Sequence, residues 1–432
     1  MAAPTLETNA AADTLRIMAG TAGNPVTWND VWDWDDGGGS SGGDGDVPKD
    51  GGGTARVDTF MTETIPNVVY LILKSIQFGN DVTPSYFRSK NEMVYFSDDM
   101  GINVRNAATL ELGEIVSGYS ENGSRWNIGV SVNLEIINSG KDTAYFYMYD
   151  SYLYSRGKDF WFRGGNVILK KSTHGFANAT EYSKFWNTMN SLTMDDVYFF
   201  NTLQLNVDIA PDDFKNVHVH DTTYGFKSQY GGTIENLLTT NFSSYDVDMS
   251  AGYTVNLKNP LFNITTPLID DDSGIIKEQY TCNAHIANKD GADLAGVAVD
   301  CKDQFGNPVW AVGTVITDAA GDIAEQIITY KKWEGTDETL TEYSPHIFTI
   351  SKAGYETQVL DEITVDHPIV WHEELLPELA EANVEVGVNF GENKIGTYAI
   401  LTGENLTAYL KESVDLVGYL EKKVELSGEL KS

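Results

Sequence analysis

Residues 195–260 read DDVYFFNTLQLNVDIAPDDFKNVHVHDTTYGFKSQYGGTIENLLTTNFSSYDVDMSAGYTVNLKNP. Aligning Val197 in DDVYFFNT, Val217 in KNVHVHDTT, Leu237 in ENLLTTNF and Val255 in YTVNLKNP gives separations of 20, 20 and 18 residues. Each unit is a short run of alternating apolar and polar residues with Asn or Gly at its corners. Alternation at period two marks a strand with one buried face. A repeat of such strands near 20 residues predicts a parallel β-helix, because one coil cannot cover its own inner face and stacking supplies the core. The expected shape is a rod.

The same texture runs upstream, in Ala108–Ile115 (ATLELGEI), Val130–Ile137 (VSVNLEII), Ala144–Tyr149 (AYFYMY) and Phe160–Phe162 (FWF), so the β-helix is expected over residues 59–275. This stretch resembles the right-handed β-helix domains of pectate-lyase-like proteins and of phage tailspikes. The resemblance rests on coil periodicity and not on a specific motif. Aromatic residues crowd Tyr145, Phe146, Tyr147, Tyr149, Tyr152 and Tyr154. Stacks inside the coils account for some of them, and an exposed sugar-binding or host-contact face accounts for the rest.

Downstream, residues 276–378 carry short strands joined by tight turns: Cys282–Ile286, Ala295–Cys301, Pro308–Ile316, Asp322–Tyr330, Pro345–Ser351 and Glu356–Val365. The words LAGVAVDCKDQFGNPV, TDAAGDI and FTISKAGYET resemble a transthyretin-like β-sandwich of the carboxypeptidase regulatory-like and Ig-like kind. That resemblance implies architecture and no chemistry. A hairpin centred on Gly291–Ala292 places Cys282 opposite Cys301. Non-hydrogen-bonded antiparallel neighbours come close enough for a disulfide, although such bridges are often strained. Two buried free thiols are the other reading, and assembly in a reducing cytosol favours it.

Residues 379–432 hold a ten-residue repeat: Leu406-Thr-Ala408-Tyr-Leu410, Leu416-Val-Gly418-Tyr-Leu420 and Leu426-Ser-Gly428-Glu-Leu430. Alternation with a small residue at the middle inward position admits close backbone approach. Isolated ribbons of this sort are marginal in water. Leu406, Leu410, Leu416, Gly418, Leu420, Leu426, Gly428 and Leu430 are therefore expected to form an oligomerisation element, with a homotrimer as the stoichiometry. A short amphipathic helix competes for ESVDLVGYLEKKVEL, and Gly418 and Gly428 count against it.

At the other end, residues 1–36 close on TWNDVWDWDD, and a Gly/Ser/Asp run fills 37–58. The run reads as a flexible linker, since it buries too little apolar surface to offset chain entropy. Trp28, Trp32 and Trp34 ahead of it read as a docking segment that attaches the chain to other virion proteins, with a partly ordered tail as the other reading.

A chain of 432 residues predicts about three domains and a sizeable core. Its net charge of −34 disfavours nucleic acid, whose binding requires Lys and Arg to displace counterions. The longest apolar run, around Val68–Leu73, is too short to span a bilayer, so no membrane insertion is expected. No apolar stretch with a basic head opens the sequence, so no secretory signal is expected. There is no phosphate loop, HExxH or CxxC pair. His218 and His220 share one strand face, which reads as a solvated or stacked surface before it reads as a metal site. Asp195, Asp196, Asp208, Asp212, Asp213 and Asp221 supply carboxylates of the kind that glycan-cleaving enzymes pair. In so acidic a chain such pairs also arise by chance. Asp270, Asp271 and Asp272 before Ser273 offer hard oxygens for Ca²⁺, against the plainer reading of a hydrated turn; no other cofactor is expected.

The fold class expected is thus all-β: a parallel β-helix, then an Ig/transthyretin-like sandwich, then C-terminal β-repeats. The function expected is a virion fibre, turret or tail-associated subunit, not an enzyme, that contacts a host-surface glycan or protein. A cellular surface adhesin or filament subunit is the first alternative, and a tailspike-type polysaccharide depolymerase the second.

Overall fold

The computed structural model describes residues 4–377, except 10–12, 36–41, 51, 81, 106, 118, 130–132, 137–143, 251 and 311. The protein is all-β, with a parallel β-helix of about eight turns over roughly residues 69–279. Each coil contributes one strand to each of three parallel ladders. Ladder one stacks Thr14–Met18, Ser75–Phe78, Gly101–Val104, Asn133–Ile136, Phe160–Phe162, Tyr182–Phe185 and Gln204–Val207, then residues 226–228, 247–249 and 267–269. Ladder two runs from Ser85–Ser89 through Ala108–Leu112 and Tyr145–Tyr149 to Thr254–Lys258 and residues 275–279. Ladder three runs from Val69–Ile72 through Met93–Phe96 and Arg125–Ile128 to residues 238–242.

The inward positions of these ladders are what the alternating pattern encodes. Along ladder one Ile102, Phe160, Leu205, Phe226 and Val247 are all buried, and Phe162 stacks on Phe185 at 4.5 Å with the rings parallel. Buried apolar side chains from Leu6 to Ile276 form one continuous cluster through the lumen. At about 25 cal/mol per Å² of apolar surface removed from water, that column is the main source of stability.

Between ladders two and three the chain turns through a left-handed residue in every coil: Asn91, Asn122, Asp150, Lys171, Asp196, Asn216, Asn236 and Asn259 all have φ between 47° and 59°. Asn and Asp tolerate this conformation because their short side chains bond locally. Asn236 Nδ2 donates to Asn216 Oδ1 at 2.8 Å, and Asn216 Nδ2 to Asp195 Oδ1 at 2.9 Å, so corners of successive coils are tied together. The exterior of ladder two alternates in sign, Lys170–Asp195–Lys215–Glu235–Lys258, which lets an acidic chain stack without repulsion.

The 20-residue register holds where ladder three places Val217 beside Val197 and Leu237 beside Val217. The fourth aligned residue belongs elsewhere. Val255 lies in ladder two, paired with Gly232 and Ile276, because it precedes its corner residue Asn259, whereas Val197, Val217 and Leu237 directly follow Asp196, Asn216 and Asn236.

Both ends of the stack are closed. At the N-terminal end Thr5–Asn9 pairs antiparallel with Thr14–Met18, and Met61–Ile65 pairs antiparallel with Val69–Ile72. The helix Trp28–Trp32, opened by a Thr27/Asp30 capping box, plugs the mouth of the lumen. The stretch expected as a linker takes part in this cap. Asp46–Pro48 and Thr54–Arg56 form a hairpin, and Val47 and Val57 are buried in the main core. Gly43 and Gly45 leave room that the indole rings of Trp32 and Trp34 occupy, so glycine here permits close packing.

At the C-terminal end one strand, Ile275–Asn288, belongs first to the last coil and then to the next module. Gln326–Glu334 pairs antiparallel with it and seals ladder two, and Trp333 joins the shaft core. Residues beyond form a β-sandwich. One sheet is Thr339–Glu342, Gln326–Glu334, Ile275–Asn288 and Ile369–Leu375; the other is Val315–Ile316, Ala298–Lys302, His346–Ser351 and Gln358–Ile363. A second core cluster from Tyr280 to Leu375 fills the space between them.

The hairpin turn at Gly291–Ala292 forms, with Ala287 bridged to Asp293, but it does not extend to pair the two cysteines. Cys282 pairs with Gln326 and Ile369 in one sheet, and Cys301 with Phe348 in the other. Strand 275–288 extends further than the sequence reading allowed and takes its neighbours from distant segments. Both cysteines are free and buried. Burial pushes the Cys282 thiol up to about 12 and raises that of Cys301 as well. The repeats carrying Leu406, Leu410, Leu416, Gly418, Leu420, Leu426, Gly428 and Leu430 lie outside the described residues.

Candidate functional site

The outward face of ladder one carries a groove built from successive coils. Pairing in register places Trp161, Lys184, Asn206, Lys227 and Asp248 in one row along the shaft. At ~4.8 Å per rung the row is about 19 Å long. Asp159, Trp161, Tyr182, Lys184, Trp186, Gln204, Asn206, Lys227 and Gln229 line a depression of about 390 Å³.

The aromatic and cationic groups interleave. The Arg163 guanidinium lies 4.2 Å from the centre of the Trp161 ring and 5.3 Å from that of Trp186, while Lys184 Nζ sits 4.1 Å over Trp186. Asp159 fixes the near end, accepting from Trp161 Nε1 at 3.1 Å and from the Tyr182 backbone N–H at 2.7 Å. Half-buried indoles held this way offer ring faces at low entropic cost.

Two buried carboxylates lie behind the lysines of the lining. Asp248 accepts from Lys227 Nζ at 2.9 Å and from Gln204 Nε2 at 3.1 Å, and Lys184 Nζ stands 3.4 Å from Asp208. Burial raises the pKa of both Asp208 and Asp248, against the lowering effect of the same lysines. Their second oxygens, Asp208 Oδ1 and Asp248 Oδ1, are buried without a hydrogen-bond partner, as are Asn206 Oδ1 and the Trp186 Nε1 donor. Leaving a buried polar atom unpaired costs about 1–3 kcal/mol, a cost also met in the shaft core at Trp28, Tyr70 and His174. A larger depression of about 700 Å³ borders ladder three near Arg125, Tyr152 and Lys171, and its lining residues carry no such orphaned atom.

The residues singled out from sequence are dispersed. Trp28 is fully buried and its ring contacts Tyr70, Phe78, Phe87, Phe96 and Trp126. It is a core residue, and the docking role falls to no exposed part of its ring. Trp32 and Trp34 are partly buried against the same core, with Trp34 Nε1 donating to the Asp46 carbonyl. Asp195 and Asp213 flank Lys215 on ladder two, and Asp221 bonds His220 and Asn241. His218 stacks on Tyr198 and His220 on Phe200. Asp271 accepts from Ser273, Asp272 from Thr336, and Asp270 faces Lys227, so the three carboxylates point to separate partners. Among the described residues no group of three or more His, Cys, Asp or Glu is arranged to hold a metal.

Trp161, Arg163, Lys184, Trp186 and Lys227 were not singled out from sequence, although the coil register links them. Spacings of 23, 22 and 21 residues from Trp161 to Lys184, Asn206 and Lys227 are the signal. They are visible only once coil lengths are allowed to vary.

No protein-family model matches this chain, and no curated protein is significantly similar to it.

Proposed function

We propose that the chain is a rod-like structural subunit of a virion, of the fibre, turret or tail-associated kind, that adheres to a host surface by binding glycan in the ladder-one groove. The observation that carries the adhesive role is the depression in which half-buried Trp161 and Trp186 interleave with Lys184, Gln204, Lys227 and Gln229. Sugar hydroxyls both donate and accept, and their apolar C–H faces pack on indole rings, so a glycan meets both needs together. The rod reading is supported by a continuous core closed at both ends. The virion setting is supported by the periodic likeness to tailspike shafts and by the C-terminal repeats. Titrating the full chain against a panel of purified capsular and cell-surface polysaccharides, with intrinsic Trp fluorescence as the signal, tests the groove. Trp161→Ala or Trp186→Ala is expected to weaken binding about tenfold or more, about 1.4 kcal/mol. A panel that leaves the native protein unquenched removes the adhesive role.

One observation favours the depolymerase as a second reading. Asp208 and Asp248 lie buried against Lys184 and Lys227 of the groove, and burial raises the pKa of both, which suits a general acid. Release of reducing ends from a bound polysaccharide, abolished by Asp208→Asn or Asp248→Asn with binding retained, would establish it. Binding without turnover leaves the adhesin.

A further inference from the structure

Ladder three carries a feature that the groove does not use. Along seven successive strands, from Met93–Phe96 to residues 238–240, none of the outward side chains is a carboxylate. The chain holds 63 Asp and Glu, and the other ladders carry some of them, at Asp195 and Glu235 on ladder two and, buried in ion pairs, at Glu111 on ladder two and Asp248 on ladder one. In place of acids the stripe has rings. Tyr152 stacks on Tyr154 at 6.1 Å with 11° between planes, and Phe200 stacks on both and on His220. Tyr95 and Tyr198 are each 40% exposed.

At Met93, Tyr95, Arg125, Asn127, Tyr152 and Thr173 the stripe lines the depression of about 700 Å³. Gly175 lies beneath Phe200, and any side chain there would occupy the space of the ring, so Phe200 rests on bare backbone. Among these outward positions the only permanent charge is Arg125. Asp150, Asp196 and Asp221 stand at the corners of the stripe. An uncharged aromatic centre with a charged rim is the anatomy of a protein interface. Six rung spacings of ~4.8 Å make it about 29 Å long.

We infer that this stripe is where a second copy of the chain packs, side by side along the shaft. Charge selects the occupant. Two copies at −34 each repel through any face that bears carboxylates, and this ladder is the one face of the shaft where the described outward residues present none. The inference rests on the reading of the protein as a self-associating rod, and it adds a contact on the shaft to the one expected of the C-terminal repeats.

Sedimentation velocity of the full-length protein at micromolar concentration tests it. The native chain is expected to sediment as an oligomer. Tyr152→Glu with Tyr198→Glu is expected to raise the concentration for half-association about tenfold or more, while Ile168→Glu with Thr193→Glu on ladder two leaves it unchanged. Far-UV circular dichroism checks that each variant keeps its strands. Independently, Tyr198→Cys treated with oxidised glutathione is expected to yield a disulfide-linked dimer, and Thr193→Cys is not. A monomeric native chain overturns both the stripe and self-association. An oligomer that survives the stripe substitutions but dissociates on truncation after Lys394 overturns the stripe alone and leaves the C-terminal contact standing.

Discussion

Trp28 meets the ring of Phe87 edge-on, with 4.8 Å between ring centroids, at the mouth of the shaft. The first tryptophan of TWNDVWDWDD thus closes the lumen. Truncating a buried Trp to Ala costs about 3–5 kcal/mol. Trp28→Ala is expected to lower the stability of the N-terminal coils by that amount, read by urea unfolding followed through ring fluorescence. Removing residues 1–36 takes away this plug and the strand Thr14–Met18 that covers Ser75–Phe78, so it exposes the first coils instead of leaving an intact rod. A truncated chain with native unfolding behaviour would sink this account.

Asn216 holds φ at 54°, donates to Asp195 and accepts from Asn236. Asn216→Ala loses the ladder bonds, about 1 kcal/mol each, and adds about 1–2 kcal/mol of left-handed strain. Asn216→Gly loses only the bonds. Chemical denaturation is expected to rank native above Gly and Gly above Ala; equal loss in both variants would mean that the backbone conformation carries no cost.

Glu92 is buried, accepts from Ser89 Oγ at 2.6 Å and from the Lys90 N–H at 3.1 Å, and burial pushes its pKa up to about 7. Its folded pKa lies above the unfolded value, so its contribution to stability is fully present below about pH 4.5 and lost as pH rises through 7. Glu92→Gln is expected to be more stable than the native chain at pH 8, by at most about 3 kcal/mol, and no better at pH 4.5. Thermal melts at the two pH values decide it, and a gap independent of pH rules it out.

His174 titrates with the opposite sign. It is fully buried between Phe160, Phe162 and Phe199, neither ring nitrogen has a partner, and burial drives its pKa down to about 3. A depressed histidine contributes stability that is fully present above about pH 6.5 and lost as pH falls toward 3. His174→Leu removes the orphaned polar atoms and the acid sensitivity together. Melts from pH 7 down to 4 are expected to show a smaller loss for the variant, and parallel curves would refute the assignment.

Some of this was legible in the sequence. Alternation in DDVYFFNT and KNVHVHDTT, with Asn at the corners, fixed the ladder and its buried face, because side-chain direction in a strand depends only on residue parity. The turn words around Gly291 and Gly321 marked a second β module. The tryptophans misled, since composition reports that a large apolar ring needs covering and not what covers it. In Gly43 and Gly45 the same letters that spell a linker serve to make room for Trp32 and Trp34.

What sequence determined by itself was local: strand character, the coil period and the corner residues. What the tertiary structure decided was which residues become neighbours across coils. Trp161, Lys184, Asn206 and Lys227 lie some twenty residues apart in the chain and about 5 Å apart in space, and each gap varies with one loop. Cys282 and Cys301 were set in different sheets by strand pairings that span up to 87 residues. Such contacts depend on where loops return the chain, a global property of stacking that no local pattern carries.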